Sequence, residues 1–100
     1  MNARPWHVYL LECGGQAIYT GITTDVARRV AEHAAGRSRA ARFTRGRGAV
    51  RLLYAVEVGE RGLAARVEHR LRRLPRDAKR AIAAERPGPV PLLARLGLPG

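Results

Sequence analysis

The fold of this chain follows from residues 6–34, which read WHVYLLECGGQAIYTGITTDVARRVAEHA. The segment Trp6 to Glu12 has the apolar, aromatic and β-branched composition of a strand. Gly14-Gly15 predicts a turn, after which Ala17 to Gly21 returns as the second strand of a hairpin. Thr23-Thr24-Asp25 offers an N-cap for a helix immediately afterwards. We therefore expect a β-hairpin that leads directly into a helix.

The middle of the chain predicts a loop and a third strand. Residues 26–34 carry apolar side chains at helical spacing, and Gly36 predicts the end of that first helix. Residues 37–48 are rich in Arg and Gly and lack periodicity, which is typical of a loop. Because Val50 to Val58 is again rich in apolar and β-branched residues, we expect the third strand there.

Two further helices are expected in the second half of the chain. The longer runs from about Leu63 to Leu74 with an apolar stripe at helical spacing, and Pro75 ends it. Asp77 is expected to cap a shorter helix that ends near Ala84. Closely spaced prolines after Arg86 predict no regular structure in the remainder, although its leucines can still pack on the core.

The predicted order of elements is β-β-α-β-α-α, which defines a small α+β domain. Its sheet has three strands, is mostly antiparallel, and is flanked by helices. We expect this domain to occupy residues 1–86 and a Pro-rich C-terminal tail to occupy residues 87–100. A chain of 100 residues is long enough for one domain with its own core.

The composition favours a polyanionic partner. Lys and Arg number 19 against 8 Asp and Glu, so the formal net charge is +11, which favours DNA or RNA over a neutral ligand. The single Cys13 excludes an internal disulfide and a Cys-cluster zinc site. The N-terminus has no apolar signal sequence, and no apolar run reaches the roughly 18 residues of a membrane span. We therefore expect a cytoplasmic protein with no membrane partner.

Several short segments together resemble the GIY-YIG nuclease superfamily. His7-Val8-Tyr9 stands ten residues before Tyr19-Thr20-Gly21, as the paired tyrosine motifs of that superfamily do. The helix that follows carries Arg29 ten residues after the second tyrosine, and His33 four residues later. Glu68 lies on a later helix, as the acidic residue of the superfamily does. The joint occurrence of these residues, in order and on the right elements, makes the resemblance specific.

The resemblance covers roughly residues 6–84 and is closest to the short, stand-alone bacterial members. It implies a metal-dependent endonuclease that hydrolyses phosphodiester bonds in DNA, structure-directed or weakly specific, with Mg²⁺ or Mn²⁺ as cofactor and a role in DNA repair. Two features depart from the superfamily pattern. His7 stands where the name-giving glycine would be, and the asparagine found late in several members has no counterpart.

The resemblance also implies a role for each site residue. Tyr9 would be the general base and Tyr19 its hydrogen-bonding partner. Arg29 would bind the phosphate, because an Arg offers bidentate donors and a charge that does not titrate near neutral pH. Glu68 would hold the metal by a single carboxylate, with water and phosphate completing the shell. His33 would assist proton transfer or substrate positioning.

The length of the hairpin loop decides whether the two tyrosines share a site. A strict two-residue loop at Gly14-Gly15 would pair Tyr19 with Leu10 and place Tyr9 on the opposite face of the sheet. An odd-length loop or a bulge would bring both phenols to one face. We therefore predict such an irregularity near residues 13–17.

Other interpretations of these residues remain open at the level of sequence. Arg29 and His33 are four residues apart and share a helix face, but His33 is also compatible with a neutral helix flank. Glu68 is also compatible with a solvated glutamate paired with Arg72 at i+4. The oligomeric state and the choice between DNA and RNA are left open.

Basic residues supply the candidate nucleic-acid contacts, and an alternative function uses them without cleavage. We expect phosphate contacts, which position nucleic acid without reading its sequence, from Arg37, Arg39, Arg42, Arg45, Arg47 and Lys79. The loop over residues 37–48, which carries the five arginines, is also compatible with a solvated connection between two elements. The alternative function is a non-catalytic basic DNA- or RNA-binding protein on the same fold.

Overall fold

A computed structural model describes residues 4–35 and 49–99 of the chain. The elements in chain order are β1 (Trp6–Cys13), β2 (Ala17–Thr23), α1 (Val26–Ala34), β3 (Val50–Gly59), α2 (Arg61–Arg72), α3 (Arg76–Glu85) and α4 (Pro89–Arg95). Within the described ranges, no helix is long and apolar enough to cross a membrane.

The three strands form one antiparallel sheet in the order β2-β1-β3. The central strand β1 carries four consecutive buried residues, Val8 to Leu11, because both faces of the sheet are covered there. The α+β class and the antiparallel sheet predicted from the sequence are confirmed. Within residues 4–35 and 49–99 the observed order is β-β-α-β-α-α-α, in which Pro89–Arg95 form a helix that the sequence did not predict.

The hairpin loop has three residues, which confirms the predicted odd length. Cys13 pairs with Ala17, so the loop is Gly14 to Gln16. Its two glycines have φ angles of 64° and 78°, in the left-handed region that glycine adopts without steric cost. With this register Tyr9 lies opposite Gly21 in the ladder, and the two phenols emerge on the same face of the sheet.

The sheet separates a main core from a smaller cluster. Val8 and Leu10 point into the main core, where they pack with residues of α2, α3 and α4. Tyr9, Leu11 and Cys13 point the other way, into a cluster that includes Val30 of α1. We call this second side the α1 face of the sheet. The alternation of β1 therefore divides one strand between structural packing and the candidate site.

Helix α1 begins where the sequence predicted it. Asp25 has an extended conformation, and its Oδ1 accepts a hydrogen bond of 3.1 Å from the Arg28 amide, which is the geometry of an N-cap. Thr23 Oγ1 accepts a further hydrogen bond of 3.1 Å from the Asp25 amide. These two bonds fix the direction in which α1 leaves β2, and therefore the placement of every side chain on it.

The predictions for α3 and for the C-terminal segment need correction. Pro75 is the N-cap of α3, and Asp77 lies in the first turn, where its carboxylate faces the positive end of the helix dipole. The expectation of no regular structure after Arg86 is wrong over Pro89–Arg95, which form α4. Its prolines lie in the first turn, where a missing N–H breaks no intrahelical hydrogen bond.

The leucines of the C-terminal segment pack on the core, as expected. Leu92, Leu93, Leu96 and Leu98 are all buried in the main core. The hydroxyl of Tyr54 on β3 donates a hydrogen bond to the carbonyl oxygen of Pro87, just before α4. Burial raises the pKa of Tyr54 to about 12. The segment is therefore attached to the sheet by apolar packing and by one buried hydroxyl.

Candidate active site

Three aromatic rings meet on the α1 face of the sheet. The Tyr9 side chain is 2% exposed, and its hydroxyl lies 3.1 Å from Nε2 of His33. The ring centroids of Tyr9 and Tyr19 are 6.3 Å apart, and those of Tyr19 and His33 are 5.0 Å apart. Residues 24 positions apart in the chain thus share a hydrogen bond that only the return of α1 over the sheet makes possible.

The close approach of the two phenols depends on Gly21. A Cβ atom at this position would overlap the hydroxyl end of Tyr9 and would stand 3.0 Å from Cε2 of Tyr19. Real Cβ atoms essentially never have neighbours so close, so one of the rings would have to move. The glycine of the segment Tyr19-Thr20-Gly21 is therefore a packing requirement of the site. The sequence alone does not show this requirement, because it follows from the ladder register that places Gly21 opposite Tyr9.

Helix α1 delivers Arg29 and His33 to the same side, as their spacing predicted. His33 is 2% exposed and is the buried residue of α1. Arg29 is partly exposed, and its Nε is buried without a hydrogen-bond partner among the described residues. The Glu32 carboxylate lies 3.6 Å from this Nε, which makes an ion pair but is too long for a hydrogen bond. A phosphate oxygen would satisfy this donor.

We call the three rings of Tyr9, Tyr19 and His33 the ring cluster. Helix α2 packs along β2 and brings Glu68 to the edge of this ring cluster. The Glu68 side chain is 19% exposed, and its Oε2 accepts a hydrogen bond of 2.7 Å from Nη2 of Arg72. The pairing with Arg72 that the sequence left open is therefore present. Glu68 also lies close enough to the rings for its negative charge to raise the pKa of both Tyr9 and Tyr19.

The titration behaviour of the three rings follows from burial. Burial and the neighbouring Tyr19 raise the pKa of Tyr9 well above its usual value, and Arg29 opposes this shift without cancelling it. Burial, followed by the charge of Glu68, raises the pKa of Tyr19. Burial, followed by the charge of Arg29, lowers the pKa of His33. All three groups are therefore neutral at pH 7.

The tautomer of the neutral His33 decides the direction of the hydrogen bond. With its pKa lowered, the imidazole carries one proton, and the contact with the Tyr9 hydroxyl is made at Nε2. The raised pKa of Tyr9 keeps its proton on the phenol, so the hydroxyl donates to Nε2 in the tautomer that carries the imidazole proton on Nδ1. The partner of Tyr9 is thus His33, while the role of Tyr19 as a hydrogen-bonding partner stays a prediction.

Glu68 fits the metal requirement that the resemblance implies. No group of three or more His, Cys, Asp or Glu residues able to hold a metal lies within residues 4–35 and 49–99. A cation here would therefore take one carboxylate from the protein and fill its shell with water and phosphate oxygens, as Mg²⁺ commonly does. Arg72 already contacts Oε2, so the cation would share Glu68 with Arg72 or displace it.

The candidate nucleic-acid residues are placed very differently from one another. Lys79 is only 9% exposed, and burial followed by the charge of Arg72 lowers its pKa. Little of its charge is open to solvent, and its role as a phosphate contact stays a prediction. The remaining candidates lie outside the described residues: Arg37, Arg39, Arg42, Arg45 and Arg47.

Sequence reasoning missed a second charged cluster that fixes the hairpin. Glu12 on β1 accepts hydrogen bonds from Arg80 at 2.7 Å and from Arg51 at 3.0 Å, and these two arginines lower the pKa of its carboxyl. Arg80 also donates to the carbonyl oxygen of Gly15 in the loop. Residues 68 positions apart cannot be recognised as partners from spacing alone.

This fold is that of a nuclease domain class. The GIY-YIG catalytic domain matches residues 5–81, and the chain belongs to the GIY-YIG family. The tyrosine pair lies on β1 and β2, Arg29 lies on α1 and Glu68 lies on α2.

Within that class, the chain is similar over almost its whole length to small bacterial proteins called UPF0213. It is 44% identical over 95 residues to a UPF0213 protein of Citrobacter koseri, covering 95% of this chain and 93% of that protein. It is 45% identical over 86 residues to one of Cupriavidus necator, covering 86% and 91%. A solution NMR structure of a UPF0213 protein from Bacillus halodurans is 35% identical, with a TM-score of 0.51 over 94% of this chain and 98% of that one.

Proposed function

We propose that this protein is a metal-dependent endonuclease that hydrolyses phosphodiester bonds in DNA with structure-directed or weak sequence specificity. The observation that carries the proposal is the buried hydrogen bond between the Tyr9 hydroxyl and Nε2 of His33. It couples a candidate base to a neutral proton acceptor beside an arginine and a carboxylate. A purely structural tyrosine needs neither of these neighbours. A role in DNA repair belongs to the same proposal.

The hydrogen bond provides a route for the proton of the attacking water. Tyr9 is a poor base alone, because its raised pKa makes the phenolate costly at neutral pH. It can instead accept a proton from water while its own proton passes to His33 Nε2. The resulting hydroxide attacks phosphorus, the opposite P–O bond breaks, and the leaving oxygen takes a proton from solvent. The imidazolium then returns its proton to solvent.

Arg29 supplies the positive charge for the phosphate. Its Nε is buried without a hydrogen-bond partner among the described residues, while its side chain reaches the surface. Negative charge grows on the phosphate oxygens in the transition state, and a preorganised donor there commonly contributes a factor of about 10²–10³ in rate. The same charge lowers the pKa of His33, which keeps the imidazole available as an acceptor.

Glu68 is the proposed metal-binding residue. A divalent cation bound there would supply positive charge to the phosphate and leaving oxygens. The protein contributes the single carboxylate, held at the edge of the ring cluster by α2. Arg72 holds that carboxylate in place when no cation is bound, because its Nη2 donates to Oε2.

A cleavage assay with matched variants tests this proposal. The chain would be incubated with end-labelled duplex, flapped, branched and single-stranded DNA and with RNA, in Mg²⁺ or Mn²⁺. Glu68→Gln and Tyr9→Phe are expected to reduce cleavage by at least about 10²-fold. Glu60→Gln is the control for the first, since Glu60 is exposed at the start of α2. Tyr54→Phe is the control for the second, because Tyr54 is buried on the opposite face of the sheet.

The outcomes separate the two functions left by the sequence. Cleavage that falls in both site variants, and persists in both controls, supports the nuclease. Binding of nucleic acid by the wild type without cleavage of any substrate would overturn it and favour the non-catalytic binding protein. The net charge of +11 agrees with both functions, so binding alone does not distinguish them.

A further inference from the structure

Another charged feature, separate from both the ring cluster and the Glu12 cluster, lies between α2 and the C-terminal segment. Two adjoining concavities of about 580 Å³ and 360 Å³ share His69 and Arg70 in their walls. We call them together the α2 groove. Their floor is apolar and includes Leu74, Leu96 and Leu98. The basic residues that line the groove are Arg66, His69, Arg70, Arg73 and Arg95.

Three of these arginines form a row along one helix. Arg66 and Arg70 on α2 and Arg73 at its C-cap stand at i, i+4 and i+7, so they lie on one face and span about 10 Å along the axis. Arg70 is fixed within the row, because its Nη1 donates a hydrogen bond of 2.9 Å to the carbonyl oxygen of Leu96. The other donors of that guanidinium remain for a ligand.

The charge of the groove is only partly neutralised. Arg95 forms an ion pair of 2.7 Å with Glu85. Arg66 and Arg73 are exposed, and neither has a hydrogen-bond or ion-pair partner in the part of the chain that the structure describes. Among these described residues, no acidic side chain lines the groove. The groove therefore presents several guanidinium groups to one stretch of solvent.

The groove is distinct from the candidate active site. Glu68 lies two positions from Arg66 and two from Arg70, so its side chain points roughly 160° away from each around the helix. Glu68 faces the ring cluster beside β2, whereas Arg70 contacts the C-terminal segment. The wall formed by Arg95, Leu96 and Leu98 also lies beyond residues 5–81, which match the catalytic domain. A ligand bound in the groove would therefore contact the protein at a place separate from the candidate active site.

We propose that the α2 groove binds the phosphodiester backbone of a nucleic-acid segment that lies outside the active site. The ligand must be a polyanion, because unpaired arginines line a surface without carboxylates. A nucleic-acid strand carries one charge per about 3.4 Å of axis, so the 10 Å row of arginines can meet several phosphates of one strand. Arginine also offers the bidentate geometry that phosphate oxygens accept. The proposal rests on the proposed function only in taking nucleic acid as the ligand.

The test measures the salt dependence of DNA binding in a chain that cannot cleave. Fluorescence anisotropy of a labelled duplex would be recorded with Glu68→Gln protein, without divalent cations, between 50 and 200 mM salt. The groove variant adds Arg66→Gln and Arg73→Gln. The control adds Arg61→Gln and Arg86→Gln, which remove the same net charge from exposed positions outside the groove. A third protein carries Arg66→Lys and Arg73→Lys.

Losing two phosphate contacts should reduce the slope of log affinity against log salt by about 1.8. Over this salt range the affinity of the parent protein should then fall about 12-fold more than that of the groove variant. The control pair and the lysine pair should keep the parent slope. Equal slopes for the groove and control pairs would overturn the proposal while leaving the nuclease intact.

A competitor of different chemistry provides a second arm. Unlabelled single-stranded DNA should displace the labelled duplex from the parent protein at lower concentration than poly-glutamate of equal charge, and this difference should shrink in the groove variant. Equal displacement by both polymers would assign the groove to an acidic peptide instead. If the parent protein bound no nucleic acid, the proposed function itself would fail.

Discussion

Gly21 lies directly opposite Tyr9 in the β1–β2 ladder, and the hydroxyl end of Tyr9 occupies the space into which a side chain at position 21 would project. Strand β2 therefore has a glycine at the position where the phenol of Tyr9 on β1 passes over it. The same relationship places the Tyr9 hydroxyl within reach of His33 on α1. A backbone position thus controls a hydrogen bond of the proposed proton route.

Substitution Gly21→Ala should reduce cleavage by at least about 10²-fold, because the added Cβ displaces Tyr9 from His33. Overpacking of this kind also costs about 1–3 kcal/mol of stability. Cleavage assays and urea unfolding measure the two effects. Gly62→Ala is the matched control, since nothing lies within 4 Å of a Cβ at that helical position. Full activity of Gly21→Ala would show that the Tyr9 position is not needed.

The acid side of the pH–rate profile should belong to His33. Below its lowered pKa, Nε2 is protonated and cannot accept the proton of Tyr9, so cleavage should fall as pH decreases below the usual value of about 6.5. His33→Gln should reduce the rate strongly and remove this acid limb. The wild-type profile, recorded at saturating DNA over the same pH range, is the reference. An unchanged acid limb in His33→Gln would assign the titration to another group.

The same histidine should contribute to the acid sensitivity of folding. Its pKa is lower in the folded than in the unfolded chain, so the unfolded chain binds the proton more readily. The resulting stability is fully present above about pH 6.5 and is lost as pH falls towards the folded pKa. Urea unfolding at pH 7.5 and 5.5 measures this loss. His33→Phe should reduce the difference between the free energies of unfolding measured at pH 7.5 and at pH 5.5. An unchanged difference would contradict the assignment to His33.

Arg72→Gln should strengthen the binding of a divalent cation at Glu68. Arg72 donates to Oε2 across an exposed i,i+4 pair, and such pairs contribute at most about 1 kcal/mol. Removing this competitor should tighten Mn²⁺ binding by about 2- to 5-fold, measured by electron paramagnetic resonance without DNA. Arg28→Gln, which alters another i,i+4 pair with Glu32, is the control. Glu68→Gln should abolish the binding, and Mn²⁺ binding that survives it would place the metal elsewhere.

Tyr54→Phe should weaken the attachment of the C-terminal segment without affecting cleavage. It removes the hydrogen bond to the Pro87 carbonyl oxygen, which should cost about 1 kcal/mol and lower Tm by about 4–8 °C. Because its pKa of about 12 exceeds the unfolded value, the neutral Tyr54 stabilises the fold below pH 10, and this contribution is lost as pH rises further. Thermal unfolding measures both effects. An unchanged Tm would show that the Tyr54 hydrogen bond does not contribute to attaching the segment.

The elements with strong local signals were predictable from the sequence. The apolar strand at Trp6 and the Asp25 cap each depend on neighbouring residues, and both are found where the pattern predicted. The odd hairpin loop was predictable for a different reason. Side chains alternate along a strand, so a shared site for two tyrosines requires an odd number of loop residues. The three-residue loop from Gly14 to Gln16 satisfies that requirement.

The C-terminal segment shows where local reasoning failed. Prolines at 87, 89 and 91 oppose a helix interior, yet α4 begins at Pro89 because the first turn needs no amide donors. The burial of Leu92 and Leu93 then supplies stability that local propensity does not contain. Asp77 likewise lies within the first turn rather than at the cap, because Pro75 already fixes the entry into α3.

The sequence by itself determined the class of the fold and the family motifs, and it indicated the residues proposed to do the chemistry. Only the tertiary structure decided that Tyr9 bonds to His33, that Gly21 makes room for it, and that burial removes Lys79 from the open surface. Hydrophobic periodicity and helix caps depend on residues a few positions apart, so they can be recognised in short stretches of sequence. Hydrogen-bond partners and desolvation arise between distant segments, because they exist only after the sheet and helices have packed.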